Sequence, residues 1–284
     1  VTLKVIKWFS VTQSKNITVA IQGQAGSFHE QAVRQWYGAR ATIVPCVTFR
    51  DAFDAYANGA ADAIVTAVEN TIFGSINEVY QLIESCGAPI VGEMKLAIDQ
   101  MLITRPGAKL TGITEVYSHP VALAQCQSFL KQHMPHATLI EFFDTAGAVE
   151  FIASGHALHR AAIAGRAAAE LYGLPIAAES IQDDKDNITR FLVLEETSPP
   201  ADATRASRVV TTSHQPGALV EVLQIFARAG VNLTKLQSQP IMGQPWQYKF
   251  FIVVDCAGAK LRQLINEIKQ SNHTVTVLGE YRAA

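Results

Sequence analysis

The sequence predicts an α/β protein with two lobes around a cleft, followed by a small βαββαβ module. Three observations carry this. Short apolar strands alternate with helical stretches from residue 17 onward, the alternation restarts after residue 95, and "EETSPPADATRAS" at 195–207 interrupts it. Strands alternating with helices imply largely parallel sheets covered by helices. A restart implies a second lobe, and prolines among small polar residues mark a linker.

Each element has a local reason. "NITVAIQGQAGSF" reads as strand, glycine loop and helix start, with Ser27 and Glu30 at capping-box spacing. "RATIVPCVTF" gives a second strand, and Thr48 and Asp51 cap the alanine-rich helix after it. "ADAIVTAVEN" gives a third strand ending in Glu69 and Asn70, and "GSINEVYQLI" starts a helix with Ser75 and Glu78 again at capping-box spacing. In the second series, "IDQMLITR" is a strand and "ITEVYSHPVALAQCQSFL" a strand running into a helix. "ATLIEFF" leads to a helix at 145–154 and "RAAIAG" to another at 165–172. "LPIAAESI" then approaches "DNITRFLVL", where Phe191, Leu192, Val193 and Leu194 form a buried strand that returns the chain to the first lobe. Beyond the linker, "RVVTTSH", "PGALVEVLQIFARAG", "VNLTKLQSQPI", "WQYKFFIVVDCAG", "KLRQLINEIKQS" and "HTVTVLGEY" read as strand, helix, strand, strand, helix, strand. That order is the split-βαβ, ferredoxin-like motif.

Composition narrows the function classes. A chain of 284 residues with 49% hydrophobic and 17% charged residues can bury a sizeable core. A net charge of −2 argues against a nucleic-acid surface. Cys46, Cys86, Cys126 and Cys256 form no CxxC pair and read as free thiols of a reducing compartment. The HxxH pairs His133/His136 and His156/His159 lack acidic company, so no metal site is expected. No apolar run is long enough for a membrane span. "VTLKVIKWFSVTQSK" contains no signal-peptide core, which gives a cytoplasmic expectation, and its missing initiator methionine implies processing or a sequence edge.

Several stretches carry polar groups at strand ends. Gly23 and Gly26 follow a strand, but the G-x-G-x-x-G order of a dinucleotide loop is absent. They read as a tight turn, or as a helix N-terminus offered to a ligand carboxylate. In "YSHPVALAQC", Ser118 or His119 caps a helix with Pro120 in its first turn, or Ser118 holds an anion, with Gln125 two turns on along the same face. "VENTIFGSI" places Asn70, Thr71 and Ser75 at the C-terminal end of a strand, where open α/β sheets bind ligands and where turns also form. Thr189 and Arg190 precede the buried run at 191–194. A buried arginine needs an anion, either an internal acid such as Asp183, Asp184 or Asp186 or the carboxylate of a ligand. A threonine can deliver a proton to a group that leaves as hydroxide.

Together these stretches resemble the prephenate dehydratase family. "NITRFLVL" is similar to its TRF motif, "VENTIFGSINEVYQLI" to its E-N-[ST]-x-x-G-S segment, and "YSHPVALAQC" to YSHPQALAQC, with Val121 where glutamine is usual. "GQAGSFHEQAV" is similar to G-x-x-G-[ST]-F-S-x-x-A, with His29 in place of a small hydroxyl residue. The C-terminal unit resembles an ACT domain, whose regulatory motif matches "GALV" at 217–220, and the whole likeness runs from about Ile17 to about Tyr281. It implies a two-lobed, periplasmic-binding-protein-like catalytic region at 17–196, with lobe 1 at 17–95 plus 180–196 and lobe 2 at 96–179. A linker at 197–206 and an ACT regulatory domain at 207–284 would follow.

The resemblance implies conversion of prephenate to phenylpyruvate, carbon dioxide and water in phenylalanine biosynthesis, without cofactor or metal. Thr189 would donate the proton to the departing hydroxyl. Asn70, Thr71, Ser118 and Gln125 would line the cleft, Arg190 would hold a carboxylate or shape the loop, and Phe191 would pack the motif onto the sheet. Phenylalanine would act between two paired ACT units, at Gly217, Ala218, Leu219, Val220, Asn232, Leu233, Gln237 and Ser238, in a homodimer or homotetramer. The family's E-S-R-P reads Gln237-Ser238-Gln239-Pro240 here, losing both charges. No chorismate-mutase helices precede residue 16, so a monofunctional enzyme is expected. The alternatives are arogenate dehydratase and a non-catalytic cytosolic amino-acid sensor. The missing export signal and the presence of Thr189 count against the sensor.

Overall fold

A computed structural model describes residues 16–284, so the readings of residues 1–15 lie outside the described residues. The first sheet contains β1 (Ile17–Gln22), β2 (Ala41–Cys46), β3 (Ala63–Asn70), the two-residue β4 (Gly74–Ser75) and β5 (Ile90–Ala97). Helices α1 (Phe28–Tyr37), α2 (Phe49–Ala57) and α3 (Asn77–Cys86) connect them. Strand β3 is an almost wholly buried apolar run, as a central strand covered on both faces must be. Thr48 and Asp51 close a full capping box at α2. The capping box expected from Ser75 and Glu78 does not form: Ile76 is the N-cap of α3, and Ser75 belongs to β4.

The second sheet holds β6 (Met101–Thr104), β7 (Glu115–Ser118), β8 (Thr138–Glu141), β9 (Arg160–Ala164) and β10 (Ile176–Ala178). Its helices are α4 (Pro120–Gln125), α5 (Gln127–His133), α6 (Thr145–Ser154) and α7 (Arg166–Tyr172). The chain then re-enters the first sheet as β11 (Ile188–Glu195), lying between β3 and β5. Two connecting segments run side by side between the lobes, with the Ile98 amide donating to Asn187 and the Ile181 amide to Gln100.

The sheets are less parallel than expected. Strands β1, β2 and β3 are parallel, but β11 runs antiparallel to both neighbours, and β6 runs antiparallel to β9 and β10. Apolar patterning fixes which residues are buried, not which way a strand points. The return of β11 from the far lobe reverses its direction.

The C-terminal unit is an antiparallel sheet of β12 (Arg205–Thr211), β13 (Leu233–Pro240), β14 (Tyr248–Val254) and β15 (Thr274–Tyr281), in the order β13-β14-β12-β15. Helices α8 (Ala218–Arg228) and α9 (Gly258–Gln270) cover one face through Val222, Phe226, Leu261 and Ile268. The other face packs on the first lobe, where Val209, Phe251, Leu278 and Tyr281 join Tyr80, Ile83 and Ile90 in one core. At Gly279 a Cβ would meet the Ile90 carbonyl oxygen at 2.1 Å, so only glycine permits this docking.

Candidate active site

A cavity of about 510 Å³ lies between the lobes. From the first lobe it takes Ser27, Phe28 and His29 at the start of α1, Thr48 and Phe49 at α2, and Asn70, Thr189 and Phe191 from the paired strands β3 and β11. The second lobe supplies His119, Val121 and Gln125 of the α4 region and Phe143, Asp144 and Thr145 at the start of α6. None of the described residues lining it is a lysine or arginine.

At its centre β3 and β11 set Asn70 directly opposite Thr189. The Asn70 Nδ2 donates to Thr189 Oγ1 at 3.0 Å and to Asn187 Oδ1 at 2.7 Å. Its own Oδ1 accepts from the amides of Ile72 and Phe73, which holds the carboxamide in that orientation. Thr189 Oγ1 accepts here and its proton has no acceptor among the described residues, so a hydroxyl hydrogen is available to the cavity. The network continues across the lobes: Gln125 Nε2 donates to Asn187 Oδ1 at 3.4 Å, and Gln100 Nε2 donates to Gln125 Oε1 at 3.3 Å.

Of the residues named from sequence, Asn70, Gln125, Thr189 and Phe191 line this cavity, and Thr71, Ser118 and Arg190 do not. Thr71 Oγ1 donates to the Asp186 carbonyl and accepts from the Ile188 amide, pinning the loop before β11. Ser118 is fully buried and donates to the Ile163 carbonyl at 2.6 Å, a tie between β7 and β9. The helix cap is His119, whose Nδ1 accepts from the Val121 amide. Arg190 projects to the other side of the sheet, with Nη2 3.1 Å from Glu69 and Nη1 3.7 Å from Glu93. An internal acid satisfies it, but from β3 and β5 rather than from the aspartates nearby in sequence. The glycine loop also meets a protein carboxylate: Asp144, the N-cap of α6, accepts from the amides of Gln24 and Gly147. Burial raises the Asp144 pKa.

Sequence alone assigns no role to His29, Asn187, Gln100 or Asp144, all of which the fold brings to this site or its network. Two were signalled by type, an asparagine and a glutamine isolated beside apolar strands. His29 is enclosed by Phe49 and Phe191, edge-on to the latter at 5.1 Å, and its Nε2 accepts from the Ala67 amide at 3.2 Å. Burial drops its pKa from 6.5 to about 3. A depressed pKa on a base means that the unfolded chain takes up the proton first. Stability contributed by neutral His29 is therefore complete above pH 6.5 and is lost as pH falls toward about 3, by up to about 1.4 kcal/mol per pH unit. Urea unfolding of wild type and His29→Asn across that window should show the wild type losing stability more steeply; equal slopes would contradict a buried neutral imidazole.

In the C-terminal unit, a hollow of about 370 Å³ is lined by residues 212–216, Ala218, Leu219, Gln247, Tyr248 and Phe250. Gly217, at φ +88°, is the N-cap of α8 beside it, and Val220 is exposed on that helix. Asn232, Leu233, Gln237 and Ser238 are not brought to this hollow. Asn232 bonds Asp255, Leu233 packs under the helices, Gln237 faces Ser75 of the first lobe, and Ser238 is exposed. A bulge in β13 between Leu233 and Lys235 turns Lys235 and Gln237 toward the first lobe, away from α8.

Comparison with known proteins agrees with this architecture. The family model described as prephenate dehydratase matches residues 19–199, and the ACT domain model matches residues 209–272. The bifunctional chorismate mutase/prephenate dehydratase of Aquifex aeolicus (strain VF5) is 35% identical over 275 residues, covering 95% of this chain and 75% of that protein. Arogenate dehydratase 2 of Petunia hybrida is 35% identical over 289 residues, covering 95% and 73%. Among solved structures, prephenate dehydratase from Arthrobacter aurescens in complex with L-Phe superposes with a TM-score of 0.83 at 29% identity, covering 94% and 90%. The quorum quenching acylase GqqA superposes with a TM-score of 0.84 at 30% identity, covering 94% and 98%.

Proposed function

The chain belongs to the prephenate dehydratase family of lyases, and from that membership we propose that it converts prephenate to phenylpyruvate, carbon dioxide and water, under control of phenylalanine. The observation that carries the reading is the Asn70–Thr189 pair in the interlobe cavity. The ring carboxylate leaves as carbon dioxide, its bonding electrons enter the ring, and the C–O bond at the opposite carbon breaks. Thr189 gives its proton to the departing oxygen, so water leaves, and solvent returns the proton to Thr189. The Asn70 N–H on Oγ1 stabilises the charge that develops there as the proton departs. Among the described residues lining the cavity there is no lysine or arginine, which suits this chemistry, because a cation clamped on the leaving carboxylate would oppose decarboxylation.

Phenylalanine would bind at the 212–219 hollow between paired copies in a homodimer or homotetramer, and the enzyme would act in the cytoplasm. The 242–246 turn beside this hollow exposes Met242 and Trp246, which favours pairing there. The test is a rate assay on the full chain, following phenylpyruvate absorbance with prephenate, with arogenate in parallel and with phenylalanine added or omitted. Prephenate turnover is expected. Turnover of arogenate alone assigns the aminated substrate instead, and no turnover of either rejects the dehydratase reading.

A further inference from the structure

We propose that His29 is a substrate-binding residue whose Nδ1–H donates to an oxygen at the end of the ring remote from the departing hydroxyl, and this rests on the dehydratase reading above. His29 sits in the first turn of α1, with its ring bordering the interlobe cavity. The Ala67 amide donates to Nε2, so that nitrogen is an acceptor. A neutral imidazole then carries its one proton on Nδ1. Among the described residues no group accepts from Nδ1, and it is not sealed from the cavity as the unpartnered Nδ1 of His273 is. The result is a fixed, uncharged donor at the cavity wall. The depressed pKa of the ring agrees with this assignment.

Position suggests which part of a substrate it meets. The His29 ring abuts Phe191, two residues beyond Thr189 on β11. Two residues along a strand span about 7 Å, so His29, which packs on Phe191, is set apart from Thr189 along the cavity wall by at least the width of a six-membered ring. A substrate with its hydroxyl at Thr189 therefore extends its carboxylate-bearing carbon toward His29. A neutral donor there orients an oxygen without the full positive charge that would retain a carboxylate.

The test compares His29→Leu, which removes the donor and fills the space, with His29→Asn, which keeps an N–H near the Nδ1 position. With prephenate, His29→Leu should raise KM about tenfold or more with kcat changed less than about threefold, and His29→Asn should recover most of the loss. Equal behaviour of the two variants, or an unchanged KM in His29→Leu, overturns the proposal. Nitrogen-15 NMR of histidine in the wild type serves even if a variant misfolds. The Nδ1–H tautomer should be present at neutral pH, and its signal should move when phenylpyruvate is added. An Nε2–H tautomer, or an Nδ1 signal unmoved by saturating phenylpyruvate in an enzyme that turns over prephenate, overturns the His29 assignment alone. A wild type inactive on both prephenate and arogenate overturns it together with the dehydratase reading.

Discussion

Thr189→Ala is expected to lower kcat for prephenate about 10²–10³-fold, with a much smaller change in KM. The expectation follows from where the hydroxyl is useful. In the ground state the substrate oxygen is a neutral alcohol, already solvated or bonded. Charge builds on it only as the C–O bond breaks, so a donor aimed at it acts mainly in the transition state. The Asn70 carboxamide is held by two backbone amides and meets Oγ1 at 3.0 Å, so the hydroxyl is oriented before substrate arrives. Thr189→Ser keeps the hydroxyl and loses only a methyl, so it should recover most of the rate. Steady-state kinetics on the three proteins decide the matter: an alanine variant as fast as its parent would remove Thr189 from the chemistry.

How much of this was legible from sequence depended on whether a signal was local. The apolar run at 191–194 and the Thr48–Asp51 box are local, and the structure contains both. Strand β5 was harder, because Gly92, Glu93 and Lys95 interrupt its apolar pattern, and Glu93 is buried only because two arginines from other strands reach it. The Ser75–Glu78 spacing satisfied a capping rule but lost to tertiary contacts: the Ser75 hydroxyl bonds Lys235 and Gln237 across the interface with the C-terminal sheet. Asn187 and Gln100 are polar residues beside strands, which resemble loop residues until the second lobe places Gln125 against them. The face of β11 occupied by Arg190 was beyond reach for the same reason, since the partners that claim it come from β3 and β5.

Glu93→Ala should cost about 3–5 kcal/mol of stability. The Glu93 side chain is fully buried and lies between two guanidiniums, Arg205 from β12 and Arg190 from β11, which are 12% and 11% exposed. Its Oε1 also accepts from the Ala284 amide at 3.1 Å. The ions alternate in sign outward from there. Arg205 continues to Asp255 at 2.7 Å, and Arg190 continues to Glu69, which Lys235 of β13 also engages. Removing the central anion leaves two buried cations facing each other with half of their compensation gone, and it opens a cavity between β5 and the docked sheet. The attraction gained on forming such a pair is largely offset by desolvation, but the loss on breaking it is not. Glu93→Gln preserves shape and one acceptor, so it should fall between alanine and wild type. Urea denaturation midpoints of the three proteins check this order. A loss below about 1 kcal/mol for the alanine variant would mean that water or rearranged side chains neutralise the arginines, as they do for exposed pairs. Arg190 would then not need Glu93 to occupy the far face of the strand that presents Thr189 to the cleft.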